Sequence, residues 1–491
     1  MFSFIICLFA LVLGYFLYGK VVEKAFGPEK SRITPAVSKA DGVDFIVLPR
    51  WKVFMIQFLN IAGTGPIFGA IMGAKFGPSS YLWIVLGSIF AGGVHDYFSG
   101  MMSIRHDGAS LPDIIGIYMG KRARDLMLVV SLVLLMLVGT VFVYSPALIF
   151  GEITGDGSQK AILIWVGIIF AYYIFATLLP IDKVIGKFYP IFAACLLFMA
   201  LALTVCLFVH WPDIPEIWQG LGNKGAEAGL PGMSRQTIFP SLFITIACGA
   251  LSGFHSTQSP IMARCMENER QGRITFYGAM ITEGIVALIW AAVSSYFFFD
   301  GGAAAAGSKL TAAAPEVVTK MARYWLGPIG GILAIIGVSI APITSGDTSF
   351  RSARLILADF LHLDQKPKRN RLAIAFPLFC LVVLLLLFNI KDEDGFNIIW
   401  RYFGFANLVL ACFTLWTAVE YLLMHKKGAY FLIAFIPATI MTSVCVSYIF
   451  TANIGFNLPV KWAWHIANVA FLYCIIISII RRVRSHHRHS Q

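Results

Sequence analysis

The chain has 491 residues, of which 58% are hydrophobic and only 13% charged, with a formal net charge of +12. Soluble proteins carry about 25% charged residues, so the composition excludes a soluble enzyme or scaffold and leaves a polytopic membrane protein. The excess of positive charge is no nucleic-acid footprint, because it is spread over short loops between apolar runs.

Apolar runs of about 20 residues cross the hydrocarbon core. Thirteen occur, near 2–19, 52–75, 79–103, 124–150, 160–180, 187–209, 236–258, 273–299, 328–349, 371–390, 397–424, 429–451 and 460–481. The first lacks a basic leader, and Lys20 follows it, so it reads as a retained helix with its N-terminus outside and not as a signal peptide. With that topology the inner loops and tail carry most of the 38 lysines and arginines, which is the positive-inside pattern. The tail holds Arg481, Arg482 and Arg484 with His486, His487 and His489, and is expected to meet anionic lipid headgroups and not a metal. Nine cysteines lie in or beside apolar runs without a Cys-x-x-Cys pair, so neither a disulfide nor zinc is implied.

The second run is broken at Asn60-Ile61-Ala62-Gly63-Thr64-Gly65-Pro66. Interrupted backbone at membrane depth is tolerated only where protein or a water-lined cavity satisfies the freed groups. Thr64 or Gly65 is expected to cap a half-helix whose first turn starts at Pro66. The amides near Ile67 and Phe68 then present a positive dipole end suited to a substrate carboxylate. A packing kink between small residues is the structural alternative. The glycine spacing does not make a dinucleotide loop, since no strand precedes it.

In the third run Ser88, Gly92, Asp96 and Gly100 recur every fourth residue, with His95 adjacent. That spacing places Asp96 on a small-residue face turned toward protein. Ser110-Leu111-Pro112-Asp113 then opens an amphipathic stretch to Gly120, a short interfacial helix on the inside. The seventh run carries a second break, Gly249 to Pro260, with Gly253, His255, Ser256, Thr257 and Gln258; Ser259-Pro260 is expected to restart the helix. His255 suits carboxylate binding or proton transfer, or merely satisfies broken backbone. In the eighth run Ala279, Glu283, Ala287 and Ala291 repeat the small-residue face. Asp96 and Glu283 each suit an exchangeable proton or a tie between helices.

Ala312 to Leu326 reads as a second interfacial helix, outside. The ninth run holds Pro342, Thr344, Ser345, Asp347 and Thr348; an intramembrane acid is a functional candidate, with pairing of Asp347 to Arg351 as the structural alternative. Asn407 reads as a helix–helix hydrogen bond. There is no His-Glu-x-x-His, Gly-x-Ser-x-Gly or Walker loop, so no enzyme, no cofactor and no direct ATP drive is expected.

Spans two to six and seven to eleven each open with a broken helix and carry an amphipathic insert after their second member. Five is odd, so the second set enters the membrane inverted. This is the arrangement of the LeuT-type 5+5 inverted repeat. The expected fold is all-α with about 13 transmembrane helices. Residues 1–50 form a peripheral helix and cytoplasmic loop, 51–210 the first five-helix repeat, 211–428 the second with its outer loop, and 429–491 two peripheral helices and the basic tail.

Gly42-Val43-Asp44-Phe45, Ile61 to Pro66, Gly93-Val94-His95-Asp96, Arg105 to Leu111, Gly253-Phe254-His255-Ser256, Gly346-Asp347-Thr348 with Arg351, and Phe403 to Asn407 together resemble the carbon starvation protein A (CstA) family. The resemblance runs from the first span to about residue 425. It implies a bacterial inner-membrane secondary transporter of the amino acid–polyamine–cation type, and members are associated with uptake of peptides and proton-coupled uptake of pyruvate. The chain looks like a short form of the family, with its own stretches at His255–Pro260 and Asp347–Arg351.

The resulting expectation is a symporter for pyruvate or short peptides, coupled to H+ or Na+. Asn60, Gly63, Thr64, Gly65, Gly253, His255, Ser256 and Gln258 are expected to bind substrate. Asp347 with Thr344, Ser345 and Thr348 is expected to handle the coupling ion, with any Na+ at the three hydroxyls, and Glu283, Asp96 and His95 follow as candidates. The expected partners are the substrate and membrane lipids, with no nucleic acid and no obligate protein. Two alternatives stand beside it. One is a nutrient sensor that binds without carrying. The other is a metal-dependent intramembrane enzyme using His95, Asp96 and His255, which needs histidines on different helices to converge.

Overall fold

The computed structural model describes residues 1–154, 158–178, 181–365, 367–392, 395–426 and 428–489, the side chains of 177, 178, 181–188, 397 and 478–489 aside. Every regular element among them is helical. The basic and histidine side chains of the C-terminal tail lie outside the described residues.

The first apolar run continues past its expected end as α1 (Phe2–Phe16) and α2 (Tyr18–Phe26). It stops at Gly27, whose φ of 75° is open to glycine at little cost. The Met1 amino group bonds Glu216 in the connection after α11, tying the start of the chain to the segment expected on the outer side. A short α3 (Pro35–Ser38) leads to α4 (Arg50–Ile61) and α5 (Thr64–Ala74), which bend by 49° across the first break. Next, α6 (Ser79–Gly87) passes through a π-turn at Ser88–Gly92 into α7 (Gly93–Arg105).

The interfacial helix is α8 (Leu111–Met119), held at its start by Ser110 donating to Asp113 at 2.8 Å and by Arg124 on the same carboxylate at 2.9 Å. Long helices α9 (Lys121–Thr154), α10 (Gln159–Leu178) and α11 (Ile181–His210) complete the first set. After α12 (Lys224–Glu227) come α13 (Phe243–Thr245), the second break and α14 (Gly253–Ala263). Then follow α15 (Ala279–Phe299), α16 (Gly302–Ala305) and α17 (Ala314–Leu361). Gly327, at φ 66° and ψ −172°, divides α17, so residues 314–326 form a helical stretch apart from the long apolar part that follows. α18 (Lys368–Lys391), α19 (Gly395–His425), α20 (Leu432–Thr451) and α21 (Ala463–His489) close the chain.

Among the described residues ten helices are long and apolar enough to cross a membrane, or eleven if the bent α4–α5 pair counts as one. Of the three further runs read from the sequence, 52–75 and 236–258 are interrupted at their breaks, and 79–103 passes through the π-turn at Ser88–Gly92.

The burial pattern is that of a protein whose outer solvent is hydrocarbon. Phe175, Ile329 and Val469 are largely exposed, whereas His95, Asp96, His255, Glu283 and Asp347 are wholly buried. With no hydrophobic contrast between lipid and side chain, close helix contact comes from small residues and interior hydrogen bonds. α9 packs on α17, α5 on α15, and α14 on α7 and α19, while α20 and α21 pack mainly on one another beside α19.

Candidate functional site

Both breaks are present and they meet. α4 ends as Ala62 and Gly63 leave helical geometry, and α5 starts at Thr64 with Gly63 as its cap position. The helix therefore starts two residues earlier than expected, and Pro66 sits within its first turn, where its missing N–H removes no helical bond. The amides outside the helical ladder are consequently those of Thr64 and Gly65, not of Ile67 and Phe68. The second run unwinds from Ile246 to Ser252 and resumes at Gly253. Ser259 and Pro260 lie inside that helix, so they do not restart it as expected, and His255, Ser256 and Gln258 occupy its first two turns.

Glycine permits the contact between the breaks. A Cβ on Gly249 would lie 3.5 Å from Pro66 Cα and 2.9 Å from Ala287 Cβ, and one on Gly65 would fall 2.4 Å from Cys248 Cβ. A Cβ on Gly63 would meet the Phe142 ring at 2.6 Å and Ser345 Oγ at 3.3 Å. Ser345 Oγ donates to the Leu59 carbonyl at 3.0 Å, linking α17 to the first break.

The two half-helix starts differ. Phe254 N donates to Asn407 Oδ1 at 2.7 Å, and Ser252 Oγ donates to the same oxygen at 3.0 Å. Asn407 is thus the helix–helix bond read from the sequence, and it fills the start of α14 from α19. The start of α5 has no such cap. Beside it Gln57 and Asn60, one turn apart on α4, and Thr64, at the start of α5, keep side-chain polar atoms buried without a hydrogen-bond partner. Leaving such groups unpaired costs about 1–3 kcal/mol each, which marks an interior built around something polar. Gln57 was not singled out in the sequence; its spacing one turn before Asn60 is the signal that finds it.

The hydroxyl set of α17 divides between two faces. Thr344 and Thr348 donate to carbonyls of their own helix, at Ala341 and Ser345. Asp347 accepts from Tyr189 OH at 2.8 Å and so faces α11, while Ser345, two residues away and on the other side of the helix, faces the first break. Arg351 is not the hydrogen-bond donor to Asp347; it lies 3.7 Å from Asp44.

His95, Asp96, His255 and Glu283 converge, although they sit on three elements. His95 Nδ1 is 2.7 Å from Asp96 Oδ1, and His255 Nδ1 is 2.9 Å from Asp96 Oδ2. His255 Nε2 is 3.4 Å from Glu283 Oε2. The expectation that separate helices keep these histidines apart is overturned, because Gly92 and Gly100 let α7 approach its neighbours closely. Among the described residues no group of three or more His, Cys, Asp or Glu side chains has the arrangement of a metal site.

A vestibule of about 1190 Å³ opens above the first break, with Phe68, Lys75, Arg235, Ser241, Thr245 and Trp400 in its wall. Trp400 packs on Phe403 at 5.4 Å between ring centres, Phe403 on Phe142 at 6.5 Å, and Phe142 on Phe254 at 6.0 Å. These rings run from the vestibule wall at Trp400 to Phe142, which lies against Gly63.

Unwound helices that meet inside an all-helical, multi-pass bundle define a membrane protein of the LeuT-like transporter fold. In agreement, the chain superposes on a manganese transporter of Eremococcus coleocola with a TM-score of 0.55, covering 91% of this chain and 99% of that one at 14% identity. It superposes on a Na+-coupled sialic acid symporter with a TM-score of 0.52, covering 96% of each at 14% identity. Sequence makes the assignment narrower. The chain belongs to the carbon starvation protein CstA family, whose description matches residues 1–150, 154–325 and 326–448, beyond the limit near residue 425 expected from its motifs. It is 26% identical to the peptide transporter CstA of Campylobacter jejuni over 88% of this chain and 77% of the relative. It is 25% identical to the peptide transporter CstA of Escherichia coli over 88% and 78%. A Haemophilus influenzae relative, described as an uncharacterized membrane protein, is 46% identical over 59% of this chain and 89% of its own.

Proposed function

We propose that the chain is a secondary active transporter that imports pyruvate or short peptides by proton- or Na+-coupled symport. The observation that carries this reading is the contact of the two breaks, Gly249 against Pro66 and Gly65 against Cys248. The substrate carboxylate meets the free amides of Thr64 and Gly65, because the other half-helix start is already filled by Asn407. Asn60, Gly63, Ser256 and Gln258 complete recognition, with Gln57 added from the structure.

The architecture belonging to this reading is thirteen spans with the N-terminus outside and the C-terminus in the cytoplasm of a bacterium, across the inner membrane. Residues 51–210 and 211–428 are the inverted repeats, flanked by peripheral helices at 1–50 and 429–491. The matched positions of α8 and the first part of α17 support it. Alternating access is then rocking of one helix bundle against the other. Ser345, Thr344 and Thr348 form the place for Na+ beside the first break, and Asp347 bonds across to α11.

Counterflow in proteoliposomes with labelled pyruvate and labelled short peptides tests the substrate class. Accumulation of either under an imposed proton or Na+ gradient is the expected result. Failure of both under both gradients overturns the assignment.

A further inference from the structure

Glu283, His255, Asp96 and His95 lie in one line through the bundle, and the binding of a carboxylate at Thr64 and Gly65 uses none of them. We propose that this line is a proton relay, in which His255 passes the coupling proton between Glu283 at the substrate end and Asp96 at the inner end. The inference rests on the secondary-transport reading and deepens it by naming the residues that would carry the proton.

Both ring nitrogens of His255 face carboxylate oxygens, Asp96 Oδ2 at 2.9 Å and Glu283 Oε2 at 3.4 Å. A neutral imidazole has one N–H and fills one of these contacts, so the other proton sits on a carboxyl or on the ring. In the transfer, the Glu283 carboxyl O–H bond breaks as His255 Nε2 accepts the proton. The Nδ1–H bond of His255 breaks as Asp96 Oδ2 accepts that one. One proton has moved from Glu283 to Asp96, the imidazole has exchanged tautomers, and total charge is unchanged.

A purely structural tie between buried ions is closed at both ends, because open ends are costly. This line is open. Both Glu283 oxygens and His95 Nε2 are buried without a hydrogen-bond partner, and the His255–Glu283 contact is long for a hydrogen bond.

The ends also lie where a relay needs them. One turn from Glu283, Ala287 packs on Gly249 of the second break. Ser88, which donates to the Gly249 carbonyl at 3.3 Å, lies against Gly284. At the other end His95, Ser99 and Ser103 recur every fourth residue on α7. Ser99 Oγ donates to Ser259 Oγ at 3.1 Å, and Ser103 Oγ to the Ala109 carbonyl in the loop beyond α7 at 2.9 Å.

Among the described residues, the other elements packed on α14 contribute no competing titratable contact to His255. Asn407 and Thr414 of α19 and Ser352 of α17 bond the backbone of Phe254 and Thr257 or the Ser256 hydroxyl, and Phe142 of α9 meets Phe254 edge to face. α4 brings Gln57 and Asn60, with Arg50 exposed at its far end. Of the charged groups on α17, Asp347 bonds Tyr189, Arg351 and Arg354 lie against Asp44, and Asp359 pairs with Arg264. Asp113 of α8 pairs with Arg124.

The test uses the purified full chain in proteoliposomes loaded with a pH-sensitive dye, with labelled pyruvate and labelled dialanine as probes. In the unaltered protein probe entry brings protons in. Glu283→Gln and Asp96→Asn keep probe counterflow and lose gradient-driven accumulation and proton entry by about tenfold or more. Proton entry preserved in Glu283→Gln and Asp96→Asn overturns the relay. Loss of counterflow together with proton entry, in variants that remain monodisperse, also overturns it, by making the line structural. If the unaltered protein moves neither probe, the transport reading fails separately, and infrared difference spectra between acid and alkaline medium decide the relay. A protonated-carboxyl band altered by both Glu283→Gln and Asp96→Asn supports it, and a band indifferent to either overturns it.

Discussion

The carboxamide oxygen of Asn407 accepts the amide of Phe254 at 2.7 Å, so a residue 153 positions away in sequence caps the half-helix that carries His255. The bond joins α19 to the second break and leaves only the first break with an uncapped helix start facing buried, unpaired polar side chains.

Asn407→Leu removes that cap and leaves the Phe254 amide and the Ser252 hydroxyl without their acceptor. Loss of a cap or a buried acceptor costs about 1–3 kcal/mol. The expected outcome is a lower thermal midpoint of the purified protein in detergent together with weakened uptake, whereas Asn407→Asp, which keeps an oxygen, retains more of both. An unchanged midpoint in Asn407→Leu contradicts the capping role.

Gly65 and Cys248 form a steric pair. Gly65→Ala places a Cβ 2.4 Å from Cys248 Cβ, an overpacking that costs about 1–3 kcal/mol. Its counterflow is expected to collapse, and the double variant Gly65→Ala with Cys248→Gly to recover much of it. Rescue absent from the double variant shows that the breaks do not bear on one another there.

Beneath the bundle the segment before α4 is held as a plug. Asp44 lies 3.7 Å from Arg351 and 3.5 Å from Arg354, both arginines wholly buried. Ile46 and Leu48 donate to the Arg264 and Cys265 carbonyls at 3.2 and 3.0 Å. Removing one partner of a buried charge group is destabilising by about 3–5 kcal/mol. Asp44→Asn is therefore expected to release this segment and expose Cys265, a buried free thiol. In a variant with the other cysteines replaced, labelling of Cys265 by a membrane-impermeant maleimide from the expected inner side rises. Equal labelling with and without Asp44 argues against the plug.

His106, in the loop between α7 and α8, meets Tyr118 OH at 2.8 Å. Burial, and then His425 nearby, hold its pKa below the ordinary 6.5. Its neutral form is thus favoured in the folded state, so its contribution is present above pH 6.5 and is lost as pH falls through and below that value. Hydrogen exchange in α8 should quicken on acidification, and His106→Gln should flatten that dependence. Equal pH dependence in the variant places the sensitivity elsewhere.

Much of the bundle was readable from hydropathy and from punctuation. Gly63, Gly65, Gly249 and Gly253 mark the broken runs because a Cβ at any of them would press on a neighbouring element. Ser110-Leu111-Pro112-Asp113 marks α8 because a hydroxyl, a proline and an acid suit a first turn. Boundaries were less secure. Pro66 and Pro260 were read as helix starts, but proline is tolerated anywhere in a first turn, and α14 accommodates Pro260 near its end.

Composition and the spacing of glycines determined, without coordinates, that this is a many-pass membrane protein with two interrupted helices, because hydrocarbon solvent imposes long apolar runs and punishes exposed backbone. Only the tertiary structure decided that Asn407 closes one half-helix start and leaves the other open. It also decided that Asp347 turns to Tyr189, and that His95, Asp96, His255 and Glu283 stand in line. Those relations join residues far apart in the chain through the crossing of helices. Helical periodicity tells which way a residue faces along its own axis, and is silent about which neighbour stands there.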